Sequence, residues 1–205
     1  MGHQKGKDRT PGGGKEYYET CPDFFQICDY EFRYAFDAAA AAFNTKCDTY
    51  ITKEQNSLAQ IWHKMGISVW LNPPYSRGMV PLFLEKCWLE SQKGITVTAL
   101  VHTCTDVKYW SDWVWDKAAE VRHVSGRLKF WLPHPDKKGN YGTTSDLPHS
   151  LIVYRPYYLG RTYQSIWNWK EDYIHRFGQL PVRNVKSKEK QITHYIYADG
   201  RREAA

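Results

Sequence analysis

"SVWLNPPYS", residues 68–76, decides how this chain is read. The unbroken apolar run at 69–71 has the pattern of a strand covered on both faces of a sheet. It stops at Asn72, Pro73, Pro74 and Tyr75. Proline cannot donate to a sheet ladder and keeps the residue before it out of helical geometry, so the strand has to end there. One reading is a stiff turn and nothing more. The other makes the turn a chemical tool, in which the Asn72 side-chain oxygen and the Pro73 carbonyl are two fixed acceptors.

The segments on either side give that strand a setting. "TCPDFFQICDYEF" predicts a short helix capped by Thr20, with Pro22 in its first turn, and "FRYAFDA" a strand ending at Asp37. "CDTYIT" reads as a second short strand, and Thr52 as the cap of a helix bearing Leu58, Ala59 and Trp62 on one face. After the prolines, Pro81 opens a helix with Leu84, Cys87 and Trp88 on its apolar side. "GITVTALVHT" is a further strand, and Asp106 caps a helix in which Trp110, Trp113, Val114 and Ala118 recur at helical spacing. "EVRHVSGRLKFW" and "HSLIVYR" are strands joined by a polar loop at 132–148, and "TYQSIWNWKEDYIHRF" is an amphipathic helix stopped by Gly178.

Strands alternating with helices predict an α/β fold with a doubly wound sheet, of the kind that binds ligands at the carboxyl ends of its strands. Asp37 and Asn72 both stand at such ends and should meet there. We divide the chain into a basic, Gly-rich arm at 1–15, a catalytic domain at 16–156 and an aromatic, basic extension at 157–205.

Composition narrows the classes. The 205 residues carry a formal charge of +6, and nine Trp with fifteen Tyr exceed ordinary packing needs, a combination suited to a polyanion partner. Five scattered Cys with no C-x-x-C pair imply reduced thiols in a cytoplasm, neither a disulfide frame nor a zinc site, so no metal is expected. No apolar run reaches membrane-spanning length, so no membrane is expected either.

The chemistry follows from the acceptor pair. An exocyclic adenine amine is a poor nucleophile because its lone pair is delocalised into the ring. Two acceptors holding its two hydrogens favour a pyramidal nitrogen and free that lone pair, while the Tyr75 ring can stack on the base. No prior deprotonation is required, since the proton becomes acidic once the nitrogen is alkylated. The partner is an activated methyl donor. "FDAAAAAF", including Ala38, offers small residues against which a nucleoside can approach the backbone, and Asp37 can receive the cationic amino end of the donor. S-adenosyl-L-methionine has no phosphate and therefore needs no anion-binding glycine loop.

From about residue 17 to residue 154 the chain resembles the phage-type DNA N-6-adenine methyltransferases, the Dam-like group. The landmarks are "YYETCPDFF", "FDAAA", "NTKCDTYIT", "NSLAQIW", "NPPYS", "DVKYWSDWVW" and "GRLKF". The resemblance implies a Rossmann-like methyltransferase sheet and a catalytic motif of Asn72, Pro73, Pro74 and Tyr75. It implies that Tyr18, Thr20 and Pro22 line the methionine side of the cofactor pocket, with Asp37 on the amino group. Asn56 falls where the family has an acidic residue near the cofactor's adenine. The implied partner is double-stranded DNA, the implied state a monomer or weak dimer, and a phage- or prophage-encoded enzyme would work in the bacterial host cytoplasm.

No space for a target-recognition domain lies between Asp37 and Asn72, so base recognition is assigned to the loop at 132–148, to the tail, or to both. The tail is preferred for its aromatics and its charges, Arg161, Lys170, Arg176, Arg183 and Lys186. Arg77, Arg127 and Lys129 are further DNA-contact candidates, the last two on one face of a strand that could equally be an ordinary exposed face. His102 and the tryptophans at 110–115 read as packed core. Two rivals stay open: RNA as substrate, and a DNA-binding protein that keeps the fold without catalysis.

Overall fold

A computed structural model describes residues 19–131, 141–180, 194–196 and 202–204. In chain order the elements are β1 (Glu19–Thr20), α1 (Pro22–Phe32), β2 (Phe36–Asp37), β3 (Ser68–Leu71), α2 (Met79–Ser91), β4 (Thr96–His102), α3 (Lys108–Trp113), β5 (Glu120–Val124), β6 (Lys129–Trp131), β7 (Tyr141–Thr144), β8 (His149–Tyr154), β9 (Tyr163–Trp167), α4 (Trp169–Phe177), β10 (His194–Ile196) and β11 (Arg202–Ala204). The central sheet runs β2-β3-β4-β8-β5-β9. It is mostly parallel: β2–β3, β3–β4 and β5–β9 pair in parallel, and β8 runs antiparallel to both β4 and β5.

Period-two alternation sends successive strand residues to opposite faces, and both faces are covered. On one, Val69, Leu71, Val97 and Ala99 pack with Phe83, Leu84 and Cys87 of α2 and with Trp110. On the other, Trp70, Leu100, Leu151 and Val153 pack with Phe24, Ile27 and Cys28 of α1 and with Trp169 and Tyr173 of α4. β3 is therefore buried along its whole length, which explains its unbroken apolar sequence. Arg122 on β5 ties the second layer together: it pairs with Glu31 of α1 at 2.6 Å and with Glu120 at 2.6 Å.

Local structure departs from the sequence expectations where a cap or a period was misread. The α1 cap is Cys21, and the Thr20 hydroxyl is engaged elsewhere. α3 starts after Val107 with no side-chain cap, so Asp106 does not cap it, and the helix spans six residues. The expected helix after Thr52 is absent. Thr52 and Gln55 bond reciprocally, at 2.7 Å and 3.4 Å, and close a turn. Asn56 then takes a left-handed φ of 53°, which stops helical propagation, and two 3-10 turns follow at Ser57–Ala59 and Trp62–Lys64. "CDTYIT" contributes a single parallel bridge, Tyr50 to Asp37.

The first part of the expected tail helix is the edge strand β9. Its Ile166 is 82 % exposed, and α4 begins only at Trp169. Gly178 does end α4, at φ 88°. β9 and α4 join the same sheet and the same core as the strands before residue 157. The 132–148 loop also holds a strand, β7, which pairs with β6. β1, β6 and β7 form a separate three-stranded sheet, in which Thr20 lies opposite Phe130. β10 and β11 pair with each other. The arm at 1–15, Tyr18, Arg183 and Lys186 lie outside the described residues.

Candidate active site

Where β2, β3 and β4 end, a cavity of about 320 Å³ opens. β8 is antiparallel to β4 and starts at that same edge, so His149 stands directly across from His102. The small sheet forms the opposite wall through Thr20, Phe130 and Thr144, and the β7–β8 connection adds Leu147. The cavity thus lies between the carboxyl edge of one sheet and a second sheet closed by residues from both ends of the domain.

Asn72 is the first residue beyond β3 and lines this cavity together with Pro73 and Tyr75. Its Nδ2 donates to Thr20 Oγ1 at 3.2 Å. That bond sets the amide orientation and leaves Oδ1 buried with no donor. A buried carbonyl oxygen without a partner is costly, and such atoms are rare in native folds. It is an acceptor held ready. Tyr75 is fixed rather than free. Its hydroxyl donates to the Leu100 carbonyl at 2.9 Å, and His102 stacks on one ring face at 4.2 Å. Burial pushes the Tyr75 phenol well above its ordinary value, so the side chain acts as a ring and not as an acid or base.

Asp37 enters from β2, one strand away. It is 3 % exposed, and its carboxylate accepts the Ala39 N–H at 3.2 Å and the Lys46 N–H at 3.1 Å. Burial raises its pKa to about 6, opposed by those two N–H groups and by the nearby Lys46 ammonium. Lys46 in turn pairs with Glu19 at 2.6 Å, which draws β1 against the loop after β2. A buried carboxylate so weakly compensated favours a cationic ligand.

The structure brings Thr20, Asp37, Asn72, Pro73 and Tyr75 to one cavity. Pro74 and Pro22 adjoin it without lining it, and Ala39 lines it where Ala38 is fully buried beneath. Asn56 is exposed and lies off the cavity. Among the cationic candidates, Arg77, Arg127 and Lys129 are exposed on segments that adjoin lining residues. Arg161 lies in the connection from the end of β8 to the start of β9, at the opposite edge of the sheet. Arg176 sits over the Tyr30 ring at 4.3 Å, near the far end of α1. His102, expected to be packed core, instead lines the cavity at the end of β4, and Phe130 and His149 line it although no local pattern marks them. Among the described residues no group of three or more His, Cys, Asp and Glu is arranged to hold a metal, and no helix is long and apolar enough to cross a membrane.

Residues 7–179 match the family described as DNA N-6-adenine-methyltransferase (Dam). The chain belongs to the Dam family. It is 35% identical over 190 residues to the DNA N-6-adenine-methyltransferase of Escherichia phage T1, covering 91% of this chain and 71% of that one. It is 28% identical over 153 residues to the protein of the same description from Haemophilus phage HP1, covering 73% of this chain and 84% of that one. The match to the Dam family takes in both the main sheet and β1 of the small one, and with them every element that frames the cavity.

Proposed function

We propose that this chain is an S-adenosyl-L-methionine-dependent DNA methyltransferase acting on the exocyclic N6 amine of adenine in duplex DNA. The observation that carries this reading is the buried, unpartnered Asn72 Oδ1 beside the fixed Pro73 backbone. Both are acceptors, as the two hydrogens of an amine demand. The central sheet is accordingly read as the Rossmann-like sheet of such enzymes, with the ligand at its carboxyl edge.

The residues present fit the cofactor. Asp37 supplies a buried carboxylate for an ammonium group, Ala39 leaves room for a nucleoside, and no anion-binding glycine loop is needed. When bound, S-adenosyl-L-methionine supplies the electrophilic methyl group. The chain's own part is positioning. Thr20 holds the Asn72 amide, Asn72 and Pro73 grip the amine, and Tyr75 gives the base an aromatic surface. The target base must leave the duplex stack, at a cost of a few kcal/mol. Arg77, Arg127 and Lys129, which are exposed, are assigned to phosphate contacts at the rim.

Two measurements test the reading. Purified protein with labelled cofactor should methylate duplex DNA at adenine N6, and matched RNA should remain unlabelled. Label in RNA alone, or in neither, would overturn it. Cofactor affinity should also follow the ionisation of Asp37. A cation pairs with the carboxylate, so binding requires the deprotonated form. Affinity should be constant above the free-protein pKa of about 6 and fall about tenfold per pH unit below it. Calorimetric titration should show that slope for the native protein, whereas Asp37→Asn should bind weakly with no slope between pH 5 and 7. A flat profile for the native protein would remove Asp37 from the ammonium site.

A further inference from the structure

The roles given to Asp37, Asn72 and Tyr75 leave the far wall of the cavity, His149, without a task. His149 is 2 % exposed. Its ring lies edge-on to His102 at 4.8 Å and tilted against Phe130 at 5.0 Å. Neither Nδ1 nor Nε2 has a hydrogen-bond partner of good geometry, although the Leu147 backbone lies near. Burial first, then the neighbouring His102 and Arg127, hold the pKa down at about 3, so the ring is neutral at ordinary pH. An aromatic hydrocarbon would fill this space without leaving two buried nitrogens unsatisfied. Buried polar groups nearly always have a partner, and the open side of this one is the cavity.

The strand order says which ligand reaches it. Asp37 on β2 lies to one side of β3 and Asn72, and His149 on β8 lies two strands to the other side. A donor with its cationic end at Asp37 and its reacting carbon at Asn72 leaves the His149 side for the acceptor base. Next to the amine, adenine presents only N1 and N7, both acceptors, and a neutral imidazole always carries one N–H donor.

We infer that His149 donates a ring N–H to N1 or N7 of the adenine whose amine is held by Asn72, and so selects and seats that base. The inference rests on the function proposed above. It makes His149 a specificity-determining contact on the base side of the cavity, distinct from the acceptor pair.

The test is a cycle between protein and substrate. Single-turnover methylation is measured on duplexes carrying adenine, 1-deazaadenine or 7-deazaadenine at the target. The proteins are the native enzyme, His149→Phe, His149→Gln and His149→Asn. The native enzyme should lose about tenfold to a hundredfold on one analogue only. His149→Phe should be slowed by a similar factor on adenine and lose nothing more on that analogue, because contacts that depend on each other are not additive. Gln replaces a donor at the Nε2 position and Asn one at Nδ1, so one of the two should restore part of the rate. Cofactor titration and thermal melting identify folded variants, and Gln and Asn carry the comparison if Phe does not fold. Equal losses for native and variant enzymes on both analogues, or a native enzyme indifferent to both, would overturn the role of His149 and leave the methyltransferase reading intact. A native enzyme that methylates no adenine would remove both.

Discussion

Asn72→Ala is expected to slow methyl transfer by about 10²–10³-fold while leaving cofactor affinity unchanged. The buried Oδ1 makes no bond in the unliganded protein, so the substitution breaks only the 3.2 Å bond from Nδ2 to Thr20 there. Its contribution arises as the amine pyramidalises, and kcat and kcat/KM should therefore fall together. Asn72→Asp keeps an acceptor at that position and should retain part of the activity. Thr20→Val tests the orientation separately. It removes the acceptor of the 3.2 Å bond from Nδ2, frees the amide to turn, and should lower kcat about tenfold, with recovery in Thr20→Ser. Native turnover by Asn72→Ala in single-turnover assays would end the acceptor argument. Native kcat in Thr20→Val would mean that the hydroxyl does not aim the amide.

Trp70→Ala is expected to be the most destabilising single change near the site. The side chain is fully buried in β3, packs on Phe25 at 5.3 Å and Tyr34 at 5.4 Å, and floors the cavity. Large-to-small changes of this kind cost about 3–5 kcal/mol, a large share of the roughly 5–15 kcal/mol that holds a domain folded. For a chain of this size the thermal midpoint should drop by roughly 6–20 °C. Trp70→Phe should lose much less. A denaturation midpoint unchanged in Trp70→Ala would show that the second core layer closes over the gap.

The parts of this architecture that were legible in advance are those whose cause is local. β3 announces itself because burial on both faces demands an unbroken apolar run, and two prolines mark its end. α2 carries Pro81 in its first turn and an apolar side that includes the buried Leu84 and Cys87. The meeting of Asp37 with Asn72 followed from the rule that ligands gather at strand ends. The failures have equally specific causes. Thr52 and Gln55 carry the pattern of a helix capping box, but the same reciprocal bonds close an isolated turn once Asn56 turns left-handed. The helical face read over Ile166, Trp169, Tyr173, Ile174 and Phe177 extends too far forward, because Ile166 belongs to the edge strand β9, where it is exposed, and only the later residues lie on α4. His149 and Phe130 are set beside Asn72 by the antiparallel register of β8 on β4 and of β6 on β1, and no window of local sequence contains that register.

The pairing of Thr20 with Phe130 also orders the birth of the catalyst. On a ribosome, β1 emerges well before β6 and has no strand to pair with until residues 130 and 131 have been synthesised. Ring closure over so long a loop comes late, after the local helices have formed. Nascent fragments that already hold Thr20, Asp37 and the prolines therefore lack the strand that fixes the Thr20 hydroxyl against Asn72, and the amide is aimed only once Phe130 has joined the small sheet.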